Sequence, residues 1–423
     1  MTTVGFAGLT HLGLVSAVGT ASKGFNVVGY DADLERVSSV LAGKLPVVEP
    51  DLDALFAANA LRQTWSDRVE DLGRCDIVYI ATDVPTDDRG RSDLSGIAAL
   101  IDRVIPALKP SALLVVLCQV PPGFTRKLPL DADRLYYQVE TLVFGRAVER
   151  ATQPERFIVG CADPAKPLPD VYAALLGAFG CPILPMRYES AELAKIAINC
   201  CLVASVSVAN TLAELSEGVG ADWHEIVPAL RLDRRIGAYS YLVPGLGIAG
   251  GNLERDLATV LRLSEQTGSE ASVIASFLAN SRHRRDWALR ALHREVLAVK
   301  PDATLGVLGL AYKENTHSTK NSPSLELISH LKHLPLRLYD PVVPASAAGH
   351  PRVVGAKDAL DAARGVDALL LLTPWPEFRK LAPAELARAM AGRVVIDPYR
   401  LLDPAQARAA GLNHHSLGAG PSC

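Results

Sequence analysis

The sequence has no run of about 20 apolar residues that would predict a membrane span. Its first residues, MTTVGFAGLTHLGL, lack the basic start and the small-residue cleavage site of a signal peptide. The seven cysteines are scattered, without CxxC spacing or neighbouring histidines, which argues against a disulfide framework and a structural zinc. A formal net charge of -3 provides no positive field for nucleic acid or anionic lipid. We therefore expect a cytoplasmic protein with no metal, no nucleic-acid partner and no membrane partner.

The chain does have enough apolar sequence for large cores. Apolar residues make up 49% and charged residues 21% of 423 residues, which indicates a globular protein of two or three domains. Short apolar runs in the first part predict buried parallel strands, and segments with helical spacing separate them. This alternation predicts a doubly wound sheet. The predicted strands are Thr3–Ala7, Asn26–Tyr30, Asp76–Ala81, Leu113–Leu117 and Phe157–Val159.

From Ser190 to about Ala298 the pattern is helical, and residues 191–217 can form one long helix. Small and apolar residues on most sides of that helix suggest burial in a subunit interface. The sequence predicts an α/β fold with two Rossmann-like doubly wound domains (1–189 and 299–423) joined by a central helical dimerisation domain (190–298). The end after Leu417 is expected to fray, with His414 and His415 solvated. Strands are predicted again at Thr304–Leu308, Leu336–Tyr339, Ala368–Leu372 and Arg393–Ile396.

A dinucleotide-binding turn is predicted at the first strand, which runs into Gly8-Leu-Thr-His-Leu-Gly13 and then a helix. A tight turn there brings backbone amides to a pyrophosphate, and Asp31 at the end of the second strand can bind the adenosine ribose. An acid at this position favours NAD over NADP. The middle glycine of the fingerprint is Thr10, whose side chain would intrude toward the pyrophosphate. The residues predicted to bind NAD are Gly8, Thr10, His11, Leu12, Gly13, Asp31, Thr82, Pro85 and Gln119.

Further segments extend from one end of the chain to the other: Val47–Pro50, Thr82–Thr86, Val120–Thr125, Gln153–Gly160, Glu192–Asn199, Pro244–Asp256, Gly309–Thr316, Tyr339–Pro341 and Thr373–Phe378. In this order they resemble the UDP-glucose/GDP-mannose dehydrogenase family. The resemblance implies NAD on the first domain, a homodimer built on the helical middle, and a UDP-sugar between the middle and last domains. In that family the C6 alcohol of the sugar is oxidised twice to a carboxylate through a cysteine thioester.

The resemblance also assigns site residues. Lys195 and Asn199 stand four apart on a helix and could clamp one developing oxyanion. Asp256 matches the family's acid and could order a water as general base. Glu140 falls at the position of the glutamate that activates the hydrolytic water. The residues matched to substrate binding are Arg235, Tyr241, Gly247, Gly250 and Lys313.

One departure from the family decides the predicted chemistry: Asn252 stands where the family has its nucleophilic cysteine. An amide has neither the nucleophilicity nor the leaving-group ability of a thiolate, so the covalent second oxidation is blocked. Gln119 and Phe144 depart from the family in the same neighbourhood. The cysteines at 118, 200 and 201 project from other elements and are not expected to replace the nucleophile. The leading hypothesis is a single two-electron oxidation of a nucleotide-linked hexose to an aldehyde or ketone.

Two alternatives remain open at this point. A full four-electron oxidation could proceed without cysteine, through a hydrated aldehyde with Glu140 or Asp256 as base. A non-catalytic homologue that binds nucleotide-sugar would be consistent with Thr10 and with the missing nucleophile. The presence of Lys195 together with Asn199 and Asp256 speaks against that second alternative.

Overall fold

The computed structural model describes residues 2–87, 90 and 92–420. The chain divides into two compact units, Met1–Ile198 and Asn199–Cys423. The first unit contains an eight-stranded sheet in the order β3-β2-β1-β4-β5-β6-β7-β8. Its first six strands follow the doubly wound order 3-2-1-4-5-6 that binds dinucleotides. The strands are β1 Thr3–Ala7, β2 Asn26–Tyr30, β3 Gln63–Ser66, β4 Ile77–Ile80, β5 Leu113–Val116, β6 Leu135–Gln138, β7 Phe157–Cys161 and β8 Ile183–Arg187.

The helices of this unit cover the two faces of the sheet, so strands β1, β4 and β5 are apolar on both faces and almost wholly buried. The five predicted strands are confirmed. The prediction that all five are parallel is wrong for β7, which pairs antiparallel with β6 and parallel with β8. The helices are α1 His11–Ser22, α2 Leu34–Leu41, α3 Leu52–Ala58, α4 Ser95–Val104, α5 Ala147–Thr152, α6 Asp170–Gly177 and α7 Tyr188–Val219, the last of which continues into the second unit.

The predicted long helix is confirmed as α7, which has 32 residues. By length and composition alone α7 could cross a membrane, so the statement that no segment reaches that limit is wrong. Isolated polar residues such as Ser205, Ser207 and Asn210 interrupt the apolar run of this helix in the sequence. A core helix of a soluble protein satisfies the same criterion.

The second unit combines a helical segment with a six-stranded, all-parallel sheet in the order β11-β10-β9-β12-β13-β14. This is again the doubly wound order, and the predicted fold class is confirmed. The strands are β9 Leu305–Leu308, β10 Leu336–Tyr339, β11 Val353–Gly355, β12 Ala368–Leu371, β13 Val394–Ile396 and β14 Asn413–His415. The helices are α8 Trp223–Leu232, α9 Asn252–Thr267, α10 Ser272–Arg285, α11 Trp287–Leu292, α12 Pro323–His330, α13 Ala359–Ala362, α14 Pro383–Ala389 and α15 Pro404–Ala409, with a π-turn at His293–Leu297.

The chain end is ordered as far as Gly420, contrary to the expectation of fraying. Leu417 is fully buried, and Gly418 donates its backbone N–H to Glu217. His414 is not solvated either, because its Nε2 lies 3.0 Å from the buried carboxylate of Asp397. Strand β14 brings this segment onto the edge of the sheet, where those contacts hold it. Pro421–Cys423 lie outside the described residues.

Candidate active site

The turn after β1 has the backbone geometry that a pyrophosphate site requires. Gly8 has φ +101°, and a Cβ there would meet Thr82 at 2.9 Å. A Cβ on Gly13 would lie 1.8 Å from the carbonyl oxygen of Gly8, so only glycine lets α1 pack this close to β1. These are the roles that the first and third glycines of the fingerprint perform. The turn therefore fits NAD in its backbone, and Leu12 beside it is buried in the core.

Asp31 lies at the end of β2 and is largely buried. Its Oδ2 accepts the Leu9 N–H at 2.7 Å and a guanidinium N–H of Arg36 at 2.7 Å. Its Oδ1 accepts the N–H of Asp33 at 3.0 Å. The carboxylate is thus fixed at the end of the turn by three donors, in the place where a Rossmann fold positions the acid that binds ribose.

Thr10 does not turn its hydroxyl toward its own helix. Its Oγ1 accepts the backbone N–H of Asp83 at 2.9 Å, and the Asp83 carboxylate in turn accepts the N–H of His11 at 3.1 Å. Of the other predicted coenzyme contacts in this loop, Thr82 is half-buried and Pro85 is exposed. Sequence reasoning missed Asp83, although the residue lies inside a segment that matched the family.

Glu49 ties the dinucleotide turn to the loop after β6. Its side chain is fully buried, and it contacts His11 Nε2 at 2.8 Å. It also accepts the backbone N–H groups of Gly145 at 2.9 Å and Ala147 at 3.1 Å. Burial alone would raise the pKa of Glu49, but the hydrogen bonds from His11 and the two amides outweigh burial and hold the pKa below its ordinary value. Phe144, one of the departures from the family pattern, packs against the His11 ring with centroids 4.1 Å apart.

We expect Glu49→Gln to destabilise the first unit by about 1–3 kcal/mol at pH 7, because the amide leaves buried donors without their charged acceptor. The folded pKa of Glu49 is lowered, so its stabilisation is complete above the ordinary carboxyl pKa of 4.5 and is lost as the pH falls through the folded value. Urea unfolding at pH 7 and at stepwise lower pH measures this effect. The free energies of unfolding of wild type and of Glu49→Gln should converge as the pH falls. Glu70→Gln is the control, because Glu70 is exposed and lies 3.9 Å from Arg68. A pH-independent difference between wild type and Glu49→Gln would contradict this account.

Glu140 and Lys195, both predicted catalytic residues, are in direct contact. The Lys195 Nζ lies 2.7 Å from Glu140 Oε1 and donates to the Glu140 carbonyl oxygen at 3.1 Å. Glu140 Oε2 also accepts the N–H of Leu142 at 3.0 Å, and both charged side chains are nearly buried. The pair places a cation and a carboxylate at the end of β6, an arrangement that can bind a polar oxygen and exchange a proton with it.

Glu192, one helical turn before Lys195, fixes the loop that follows β5. It is wholly buried, and it accepts the backbone N–H groups of Gly123 at 2.5 Å and Thr125 at 2.8 Å. Burial raises the pKa of Glu192, even though the bonds from Thr125 and Gly123 act in the other direction. The predicted coenzyme residue Gln119 lies buried in the same segment. Sequence reasoning gave Glu192 no role, although the residue lies in a matching segment.

In the second unit, Asn199 and Asp256, both predicted catalytic residues, are in direct contact. The Asn199 Nδ2 donates to Asp256 Oδ2 at 2.5 Å, and both side chains are buried. Arg255 Nε lies 3.4 Å from the other carboxylate oxygen, a contact that the sequence did not reveal. Asn252 begins α9 one turn earlier and is exposed. Asn199 lies four residues after Lys195 on α7, the spacing at which side chains share a helix face.

The loop before α9 carries the predicted substrate glycines. Gly247 has φ +79°, and a Cβ there would lie 2.4 Å from the Ser281 carbonyl oxygen. Gly250 has φ +80° and donates its N–H to the Lys320 carbonyl oxygen at 3.0 Å. Two left-handed residues within four positions require glycine and give this loop its shape.

The other predicted substrate residues are spread over the unit. Lys313 lies with its Nζ 5.8 Å from the ring centroid of Tyr312, whose ring faces Gly250. Arg235 is on the surface, in an ion pair of 2.6 Å with Asp233. Tyr241 is half-exposed. The structure thus places Lys313 near the glycine loop, and it places Arg235 in a surface ion pair.

Three family models match the chain. The NAD binding domain of the UDP-glucose/GDP-mannose dehydrogenase family matches residues 2–175, its central domain matches 189–281, and its UDP binding domain matches 306–404. The first match supports NAD as the coenzyme, and the last supports a nucleotide-sugar as the substrate. The turn at Gly8 and the glycine loop at Gly250 lie inside the first two matches.

Relatives extend over the whole chain. UDP-glucose 6-dehydrogenase TuaD of Bacillus subtilis is 30% identical over 99% of this chain and 93% of its own length. UDP-glucose 6-dehydrogenase of Pseudomonas aeruginosa is 28% identical over 97% and 96%. The solved UDP-glucose dehydrogenase of Pyrobaculum islandicum has a TM-score of 0.86 at 26% identity, covering 100% of this chain and 98% of that one. The chain therefore belongs to the UDP-glucose/GDP-mannose dehydrogenase family of NAD-dependent oxidoreductases.

Proposed function

We propose that this chain oxidises an alcohol of a nucleotide-linked hexose, UDP-glucose or a close analogue, in a single two-electron step that ends at an aldehyde or ketone. The observation that carries the proposal is Asn252, exposed at the start of α9, at the position that the resemblance matches to the family's nucleophilic cysteine. A carboxamide cannot bond to the carbonyl carbon and later leave as a thiolate does. The product of the first oxidation then stays free of the protein.

The cysteines at 118, 200 and 201 offer no ready replacement for the missing thiolate. Burial raises the pKa of Cys118 to about 12 and the pKa of Cys200 to about 11, so both are thiols near neutral pH. Cys201 is exposed, but it follows Asn199 by two residues and therefore points about 200° around α7 from it. A nucleophile from any of these three positions is disfavoured by ionisation or by direction.

The catalytic roles are those that the resemblance assigns, and the two pairs of contacts support them. Lys195 and Asn199 stabilise the oxygen of the reacting alcohol as its proton leaves. Asp256, with Asn199 and Arg255 fixing both of its oxygens, holds the water that takes this proton. NAD, when bound, accepts the hydride. Asn252 donates a hydrogen bond to the carbonyl group or to its hydrate.

A four-electron oxidation to the acid is the second candidate, and the Glu140–Lys195 contact favours it. A carboxylate 2.7 Å from an ammonium group is placed to deprotonate a hydrated aldehyde without any covalent intermediate. The non-catalytic alternative is disfavoured, because the NAD binding domain of the family matches residues 2–175 and the turn at Gly8 keeps its geometry.

Mass spectrometry of the products identifies the reaction. The purified chain would be incubated with NAD and, separately, with UDP-, GDP- and TDP-linked hexoses. A product two mass units lighter than one of the sugars, or the hydrate of that product, supports the proposal. A product 14 mass units heavier, which is the acid, supports the four-electron candidate instead. Absence of any product across the panel, with NAD binding intact, would favour the non-catalytic alternative.

We also propose a homodimer formed through α7. Four exposed apolar residues recur at spacings of four, three and four along this helix and form one stripe: Val208, Leu212, Leu215 and Val219. Leu215→Glu should halve the apparent mass in light scattering, because it places a charge in the stripe. Val299→Glu, which adds the same charge at an exposed site outside α7, should leave the mass unchanged. A wild-type protein of single-chain mass contradicts the dimer.

A further inference from the structure

The side-chain carboxylate of Asp83 lies at the N-terminus of α1. Its Oδ2 accepts the backbone N–H of His11, the first residue of the helix, at 3.1 Å. Its own N–H donates to Thr10 Oγ1 at 2.9 Å. Thr10 is the N-cap residue, yet its side chain makes no hydrogen bond to the helix amides. The acidic group that caps α1 therefore comes from the loop after β4, about 70 residues away in sequence, and Thr10 anchors it.

The amides at the start of a helix have no partners within the helix and carry a partial positive charge. A Rossmann fold uses this same end of its first helix to receive the pyrophosphate of the dinucleotide. A carboxylate and a phosphate oxygen satisfy these amides in the same way, so one excludes the other at a given N–H. Both groups are negatively charged, so a carboxylate and a phosphate that remain close to each other also repel.

The rest of the turn is built for close approach. Gly8 keeps its left-handed φ of +101°, and Gly13 allows α1 to lie against the carbonyl of Gly8. Weak coenzyme binding would therefore not come from a collapsed turn. It would come from Asp83, together with the hydroxyl at position 10 that holds the Asp83 backbone in place.

We propose that Asp83 is an internal competitor for the phosphate-binding end of α1 and sets the affinity of this chain for NAD. Coenzyme binding displaces the Asp83 carboxylate from the His11 N–H. The affinity for NAD is then lower than the glycine turn alone would give. As a result, the reaction rate changes with NAD concentration at higher NAD concentrations than it otherwise would. Thr10, which replaces the middle glycine of the fingerprint, contributes to this competition because its hydroxyl holds the Asp83 backbone in place.

The test is the Kd of NAD, measured by titration calorimetry on the full chain without sugar. Asp83→Ala should bind NAD about tenfold more tightly, which corresponds to about 1.4 kcal/mol. Asp83→Asn removes the charge and keeps an oxygen that can accept the His11 N–H, so it should show an intermediate gain. Both gains should shrink as the salt concentration rises, because screening weakens the repulsion. In steady-state assays the KM for NAD should fall, while the KM for the sugar stays the same.

Asp87→Ala is the control, because it removes an exposed acid four residues further along the same loop. An equal gain in this variant would assign the effect to the general charge of the loop and overturn the proposal. An unchanged or weaker NAD affinity in both Asp83 variants, with their melting temperatures intact, would also overturn it. If Asp83→Ala is unstable, Asp83→Asn decides the question, because it keeps the cap of the helix.

Discussion

Replacing Lys195 by methionine is expected to lower kcat by about 10²–10³-fold. The methionine side chain has nearly the length of lysine, so the change removes the charge and the donor and leaves the packing of α7 in place. Without the ammonium group, the developing oxyanion loses a preorganised donor in a site that is nearly closed to water, and this range is typical of such losses. The Glu140 carboxylate, 2.7 Å away, also loses its partner and becomes free to repel the oxyanion. Initial rates at saturating NAD and sugar measure the effect.

Lys109→Met is the matched control for this variant. Lys109 is half-buried and pairs with Asp76 at 2.6 Å in the first unit, so its loss tests what the removal of a similar ion pair does to the enzyme as a whole. We expect kcat within about twofold of wild type, since surface or partly buried pairs contribute little. The affinity for NAD should be retained in Lys195→Met. A loss of kcat below tenfold, or an equal loss in the control, would show that Lys195 does not touch the reacting oxygen.

Replacing Asn252 by cysteine is expected to give the enzyme a second oxidation. Asn252 is the first residue of α9, a helix of 16 residues, and the N-terminus of a helix stabilises a thiolate. Such a thiolate can add to the aldehyde and form a thiohemiacetal. The hydride of that adduct would pass to a second NAD and leave a thioester, from which water displaces the thiolate. The yield of NADH per sugar should double, and the product should change from aldehyde or ketone to carboxylate. Acid quenching followed by mass spectrometry of the intact chain should trap the sugar on the protein.

Asn252→Ser is the control for this gain of function. A hydroxyl at the same place keeps the size and polarity of the side chain, but it is a poor nucleophile and a poor leaving group without an adjacent base. The serine variant should therefore keep the yield of the wild type. If Asn252→Cys gives no acid although its first oxidation is intact, residue 252 does not face the reacting carbon.

Most central strands were predicted from the sequence, but the interior strand β6 and several edge strands were not. The run at β4 is apolar throughout and the run at β1 is apolar after Thr3, because helices cover both faces of the sheet there. By contrast, β3 reads Gln-Thr-Trp-Ser and β14 reads Asn-His-His, without an apolar run or a strict alternation. Each is held by hydrogen bonds along one side to a neighbouring strand. β8 contains Pro185, which a strand tolerates at an edge.

The candidate site was predictable where local spacing or the family resemblance carried the information. The spacing of Gly8 and Gly13 is a local sequence pattern, and its physical cause is that α1 packs closely on β1. The structure shows this close packing. The contact of Asn199 with Asp256 joins residues 57 apart and was not predicted; the resemblance assigned both residues to the catalytic site without pairing them. Glu49 is 38 residues from His11, and a glutamate in a loop gives no sign that it will be buried. Contacts of this kind follow from the tertiary fold and leave no periodic signal in the sequence.

The central claim is that a carboxamide at position 252 stops the reaction after one oxidation, and the ratio of NADH formed to sugar consumed tests it most directly. The purified wild-type chain would be given limiting UDP-glucose, or whichever nucleotide-hexose the product panel identifies, with excess NAD until the absorbance at 340 nm is constant. The account predicts one NADH for each sugar consumed. A ratio of two, with the carboxylate as product, would contradict it.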